Sequence, residues 1–130
     1  MIIDTSALLA ILRVEPDARR IINAIKSSDR RTISAATLVE AGIVAEGRAG
    51  EQGARDLDAV LARLRVDVAP LTESQAMHAR RAFRRFGKGR HPARLNLGDC
   101  FAYALAKATG EPLLFTGDDF SKTDIEVARY

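Results

Sequence analysis

Five acidic residues stand at places where an acid does more than decorate a surface. Asp4 ends the apolar run Met1-Ile2-Ile3 and is followed by two hydroxyls, Thr5 and Ser6. Glu40 shares a helical face with Ala36, Ile43 and Val44, so a carboxylate lies on an apolar stripe. Asp99 follows Asn96-Leu97-Gly98 and is surrounded by Leu95, Leu97, Cys100, Phe101 and Ala102. Asp118 and Asp119 come directly after Leu113-Leu114-Phe115-Thr116-Gly117. Each has a plain structural explanation. Asp4 or Ser6 suits a helix N-cap, and Glu40 can lie at the border of its stripe and reach water. Asn96 with Asp99 suits a capped first turn, and an adjacent Asp pair suits a turn. Brought together, however, these carboxylates would repel and take up protons unless a cation stood among them. An oxygen-only set with no His or Cys cluster suits Mg²⁺ or Mn²⁺. Such ions activate water and stabilise in-line attack on a phosphate.

Convergence of this kind requires elements that end at one edge. The pattern predicts a strand at the start, a helix over 7–12, and a second helix from Pro16 to about Ser27 bearing Ile21, Ile22 and Ile25. Thr32-Ile33-Ser34 reads as a strand, with Ser34 or Thr37 able to cap the next helix. That helix, over 35–48, carries Leu38, Val39, Ile43 and Val44 as its apolar set and ends near Gly47 and Gly50. A further helix over 51–65 places Leu57, Val60, Leu61 and Leu64 on one face. A strand over 66–71 and a helix capped near Thr72 follow, then a loop from Gly87 to Pro92. A helix from about Asn96 to Thr109 with Gly110 as C-cap, a strand at 113–116 and a last strand near 125–128 complete the chain. Strands alternating with helices imply an α/β fold, a parallel sheet covered on both faces. A parallel sheet gathers strand ends and helix starts at one edge, which is where Asp4, Glu40, Asp99 and Asp118 or Asp119 would meet. There the cap role passes to Thr5 or Ser6, and Asp4 faces the ion.

The basic complement is one-sided. Arg80, Arg81, Arg84, Arg85, Lys88, Arg90, His91 and Arg94 stand together with no acid among them. Arg81, Arg84, Arg85 and Lys88 fall at helical neighbour spacings, a stripe suited to a phosphate backbone, with Arg90 beside it in the loop. A solvated helix face is the plainer explanation. Aromatic platforms for bases are sparse, Phe83, Phe86 and Tyr103 being the nearest.

At 130 residues the chain is expected to form one domain, over 1–130, with a core of its own. The single cysteine, Cys100, excludes an internal disulfide and a cysteine-rich metal site and suits a reducing cytoplasm. Residues 1–12 carry Asp4 and no basic start, unlike a signal peptide. No apolar run approaches the roughly 18 residues of a membrane span.

The motifs Met1-Ile2-Ile3-Asp4-Thr5-Ser6-Ala7, Val39-Glu40, Leu95-Asn96-Leu97-Gly98-Asp99-Cys100-Phe101 and Leu113-Leu114-Phe115-Thr116-Gly117-Asp118-Asp119-Phe120, in that order over the whole length, resemble the PIN-domain proteins. More narrowly they resemble the VapC toxins of bacterial toxin–antitoxin pairs. The resemblance implies a PIN-like three-layer α/β/α domain and an endoribonuclease that uses Mg²⁺ or Mn²⁺ to cut structured RNA, tRNA or ribosomal RNA, and so blocks translation. It also implies a homodimer, held inactive by a cognate VapB-type antitoxin. By the same resemblance Asp4 and Asp99 are the principal metal ligands, joined by Glu40 directly or through water. Thr5, Ser6, Asn96 and Thr116 support them. Counting back from Phe120 gives Asp119 as the last acid, and counting forward from Thr116 gives Asp118. A module that binds RNA or an antitoxin without cutting is the competing reading. A phospho-acceptor receiver would carry paired acids after its first strand, and a dehalogenase-type phosphatase an Asp-x-Asp. Asp4-Thr5-Ser6 fits neither.

Overall fold

The computed structural model describes residues 1–130. Its elements are β1 (Ile2–Ile3), α1 (Thr5–Leu12), α2 (Ala18–Ser27), β2 (Thr32–Ser34), α3 (Ala35–Leu64), β3 (Asp67–Ala69), α4 (Glu73–Phe86), α5 (Leu97–Thr109) and β4 (Leu113–Leu114). A 3₁₀ turn at Phe120–Lys122 follows. The four strands are parallel in the order β3-β2-β1-β4, with Ile2 paired to both Thr32 and Leu113.

Strand order decides which face each helix covers. The chain steps from β1 to β2 to β3 in one direction and then crosses back to β4. Right-handed crossovers therefore put α1, α2 and α3 on one face and α4 and α5 on the other. The side chains follow the strand alternation. Ile3, Ile33 and Leu114 pack with Leu8, Ile21, Ile25, Leu57 and Leu61 on the first face. Ile2 and Leu113 pack with Phe86, Leu95, Tyr103 and Leu105 on the second. The reversal of direction lies between β1 and β4. A sheet of this kind opens a crevice at such a switch point, beyond the carboxyl ends of the strands.

Several elements differ from the sequence expectation. The helices expected over 35–48 and 51–65 form α3, interrupted at Ala49 (φ −129°) and Gly50 (φ 60°, ψ −153°). Gly50 occupies backbone space that residues with a Cβ avoid, and there the two halves fold against each other. Gly53 completes the bend, because a Cβ on it would overlap the Ala45 carbonyl. The buried positions on the first half of α3 are the small residues Thr37, Ala41 and Ala45, whereas Val39 and Ile43 are 61% and 68% exposed. Leu97, one of the apolar neighbours of Asp99 along the sequence, is 71% exposed. Helix α2 begins at Ala18, leaving Pro16 in the turn before it. The strand expected over 66–71 is shorter, and the last strand is a single bridge of Val127 to Leu113, held by Leu113 N–H to Glu126 O and Ala128 N–H to Leu113 O. No helix is long and apolar enough to cross a membrane.

Candidate active site

Asp4 follows β1 directly and is the N-cap of α1, a correction to the expectation that Thr5 or Ser6 would take that role. Its Oδ2 accepts from the Ser6 backbone N–H at 2.9 Å and from Ser6 Oγ at 2.6 Å. Capping uses one oxygen only. Oδ1 is fully buried and has no hydrogen-bond partner. Burial pushes the Asp4 pKa up against the two Ser6 bonds, and the Glu40 charge adds to the rise.

The next residue of the same segment fixes Glu40. Thr5 Oγ1 donates to Glu40 Oε2 at 2.6 Å, tying the start of α1 to the first half of α3. Ser34 caps that helix through Ala36 N–H, which sets the phase of the turn carrying Glu40.

Asp99 stands in the first turn of α5, where its Oδ2 accepts from Asn96 N–H at 2.7 Å and Asn96 Oδ1 accepts from Asp99 N–H at 2.9 Å. This is a reciprocal capping box. The Asp99 pKa is nevertheless raised to about 7, chiefly by burial. The Asn96 bond pulls it down, while the charges of Asp4, Asp119 and Glu40 push it up. Asp4, Glu40 and Asp119 thus all lie within electrostatic reach of Asp99, and the last turn acts on it through Asp119. Asp118 is exposed, and its backbone carbonyl accepts from Ser121 Oγ at 2.6 Å. Thr116 takes part through its backbone, its N–H donating to Ser6 Oγ at 3.0 Å.

No three acidic side chains, with or without His or Cys, stand close enough together to ligate one ion. The donor set still fits a hard divalent cation. It consists of carboxylate oxygens, it includes a buried oxygen with no partner, and the adjacent Cys100 thiol is pushed up to about 11 by burial. A thiol in that state is protonated at neutral pH and does not compete as a soft ligand.

Beside the acids runs a groove of about 380 Å³ lined by residues that include Val39, Glu40, Ile43, Leu97, Gly98 and Phe101. The apolar residues that the helical period assigned to the core therefore border the acids and face solvent.

The basic stretch divides in two. Arg85 is ion-paired to Asp124 at 3.0 Å, and Asp124 also takes Lys107 at 3.1 Å and Tyr103 Oη at 2.7 Å. Its guanidinium lies 4.7 Å from the centre of the Phe86 ring. Arg85 is thus a structural cation as well as a surface one. Arg80, Arg81, Arg84, Lys88, Arg90 and Arg94 form no ion pair. Arg80, Arg84 and Arg90 line a cleft around Phe83, while Lys88, Arg90 and Arg94 line the next. Phe86 and Tyr103 are buried, which leaves Phe83 as the exposed aromatic of the three. Sequence reasoning did not single out Gly98, although a glycine in the first turn of a helix is itself a signal, because it weakens the helix relative to alanine.

The PIN domain family matches residues 1–126. The chain is 52% identical over 125 residues to the VapC ribonuclease Mb0640 of Mycobacterium bovis, covering 96% of this chain and 95% of that protein. It is 53% identical over 125 residues to the ribonuclease VapC of Mycolicibacterium smegmatis, covering 96% and 97%. Among solved structures it resembles Mycobacterium tuberculosis VapC20, described as a sarcin–ricin-loop-cleaving toxin, with a TM-score of 0.76, 17% identity and 95% of each chain covered. A toxin–antitoxin complex from Klebsiella pneumoniae matches with a TM-score of 0.72 and 18% identity over 99% of this chain and 97% of that one. The two structures share the fold, and the two mycobacterial relatives share the sequence as well. The chain belongs to the PIN-domain family and, within it, to the VapC ribonucleases.

Proposed function

We propose that this ribonuclease is a divalent-metal-dependent endonuclease that cuts structured RNA, tRNA or ribosomal RNA, as the toxin of a toxin–antitoxin pair in the cytoplasm. The whole of 1–130 would act as one catalytic unit. The observation that carries this is Asp4 Oδ1, a buried carboxylate oxygen with no partner, on an acid that lies within electrostatic reach of Glu40 and Asp99.

Asp4 and Asp99 would hold the ion, with Glu40 joining them directly or through water as the carboxylates close on it, and Asp119 contributing charge at the rim. Bound there, Mg²⁺ or Mn²⁺ would neutralise the carboxylates, activate the attacking water and polarise the phosphate. The chain's own residues do the rest. Ser6 keeps Asp4 Oδ2 engaged, so that Oδ1 is the free oxygen. Thr5 holds Glu40 in place, and Asn96 does the same for Asp99. Water would add to phosphorus in line as the P–O3′ bond breaks, a proton of the attacking water being passed through solvent to O3′, so that the products carry a 5′-phosphate and a 3′-hydroxyl. Arg81, Arg84, Lys88 and Arg90 would bind the RNA backbone, with Arg80 and Arg94 beside them, because each is a cation without an acidic partner. Arg85 contributes less, since Asp124 already neutralises it.

The exposed Val39, Ile43 and Leu97 support a partner-binding surface next to the acids. A VapB-type antitoxin or a second copy of this chain in a homodimer would cover it.

Sequencing RNA 5′ ends after brief expression, wild type against Asp4→Asn, tests the reading. New 5′-phosphate ends at a small set of sites in wild type alone support it. Identical ends in both, or RNA binding with no cleavage, would overturn it in favour of a binding module.

A further inference from the structure

We propose that Gly98 is a positioning residue of the acidic site, because the space its missing side chain leaves is the space the Glu40 carboxylate occupies. A Cβ placed on Gly98 would overlap Glu40 Oε1, Oε2 and Cδ, and these three atoms are its nearest neighbours. On its other side the same carboxylate is held by Thr5 Oγ1 at 2.6 Å. Glu40 is thus clamped between a hydroxyl at the start of α1 and bare backbone at the start of α5. The amino end of α5 is also where a helix dipole favours an anion.

Backbone conformation does not call for glycine at this position. Gly98 is not among the residues with positive φ, and it sits inside a helix, where alanine is the better helix former. The nature of the collision is also unusual. A Cβ on Gly53 or Gly87 would strike backbone carbonyls, at Ala45 and Phe83, and those cannot move without moving a helix. A Cβ on Gly98 would strike the tip of a flexible side chain, which can rotate away. Alanine at 98 therefore leaves the fold standing and expels the Glu40 carboxylate from the crevice. Glycine at this position trades helix propensity for access of Glu40 to Asp4 and Asp99.

The inference rests on the metal-site reading above, and its test separates the two. The full-length chain is compared as wild type, Gly98→Ala, Glu40→Ala and the double variant. Mn²⁺ alone is titrated and followed by paramagnetic resonance. Side-chain carboxyl ¹³C NMR is recorded without metal, with Glu40 assigned by its loss in Glu40→Ala. Gly98→Ala is expected to melt no lower than wild type and to bind Mn²⁺ about 10-fold or more weakly, as Glu40→Ala does. The double variant should be no weaker than Glu40→Ala, and the Glu40 carboxyl resonance should move in metal-free Gly98→Ala. Wild-type Mn²⁺ affinity with an unmoved Glu40 resonance would overturn the proposal, as would a double variant weakened by the product of the two single effects. Should Gly98→Ala fail to fold, restored folding in the double variant supports the contact and continued failure refutes it. A wild-type chain that binds no Mn²⁺ contradicts the metal-site reading instead, and the metal-free resonance then decides the role of Gly98.

Discussion

Ser6 Oγ accepts a 3.0 Å hydrogen bond from the Thr116 backbone N–H and donates one of 2.6 Å to Asp4 Oδ2. Thr116 lies 110 residues further along the chain, two residues beyond β4, and Asp4 lies one residue beyond β1. A single hydroxyl therefore joins the ends of the two strands that flank the switch point of the sheet. It holds Asp4 in the rotamer that leaves Oδ1 unpaired, and it anchors the turn from which Asp119 acts on Asp99.

Ser6→Ala is expected to lower both stability and cleavage. It strands the Thr116 N–H, and a partly buried donor without a partner costs about 1–3 kcal/mol. Denaturant unfolding measures the first effect. The rate of RNA cleavage in Mg²⁺ measures the second, and it should fall even at temperatures where the variant is fully folded. A variant with wild-type stability and rate would show that the strand ends are held by other contacts.

The pH dependence of the metal-free protein has a definite sign. The Asp99 pKa is about 7 in the folded chain, chiefly through burial, and that of Asp4 is raised as well. A carboxyl that holds its proton more tightly when folded than when unfolded contributes stability that is full below about pH 4 and is lost as the pH rises toward 7. Melting in EDTA across that window should therefore show stability falling as the pH rises, and Asp99→Asn should flatten the slope. Stability that rises through the window, or a slope unchanged in Asp99→Asn, would contradict this account of the crevice.

The basic residues are expected to separate by role. In an Asp99→Asn background, which is expected to block cutting, Arg84→Ala and Arg90→Ala should each weaken RNA binding and lower the slope of log affinity against log salt by about 1. Arg85→Ala should leave that slope nearly unchanged and instead cost up to about 1 kcal/mol of stability, the range of an exposed ion pair. Fluorescence anisotropy at a series of salt concentrations and thermal melts distinguish the two classes.

Gly53→Ala should act on the fold alone. Its Cβ would press on the Ala45 carbonyl across the bend of α3, an overpacking that costs about 1–3 kcal/mol. Mn²⁺ affinity per folded molecule should stay at the wild-type value, the reverse of what is expected for Gly98→Ala.

Local patterns in the sequence carried the features that depend on neighbours along the chain. An apolar run ending in Asp4, the Asn96–Asp99 capping box and the Ser34 and Thr72 caps are all contained within a few residues, and all stand in the structure. Features decided by the far side of the fold were not legible. Helical spacing grouped Val39 and Ile43 with the core because period alone does not say which face is covered. The small residues Thr37, Ala41 and Ala45 take the buried side, since α1 packs closely there. Arg85 looked like an RNA contact until the fold brought Asp124 to it from 39 residues away. Asp4 was given a choice between cap and ligand, yet a carboxylate has two oxygens, and the structure commits only one of them to the cap.

The most direct test of the central claim, that Asp4 and its neighbours form a metal-dependent cleavage site, is cleavage of a structured-RNA pool by purified chain. Wild type and Asp4→Asn are compared in Mg²⁺, in Mn²⁺ and in EDTA, with the fold of each checked by circular dichroism. The account predicts discrete fragments ending in 5′-phosphate from wild type with either metal, and none from wild type in EDTA or from folded Asp4→Asn under any condition. Undiminished cleavage in EDTA, or by folded Asp4→Asn, would contradict it.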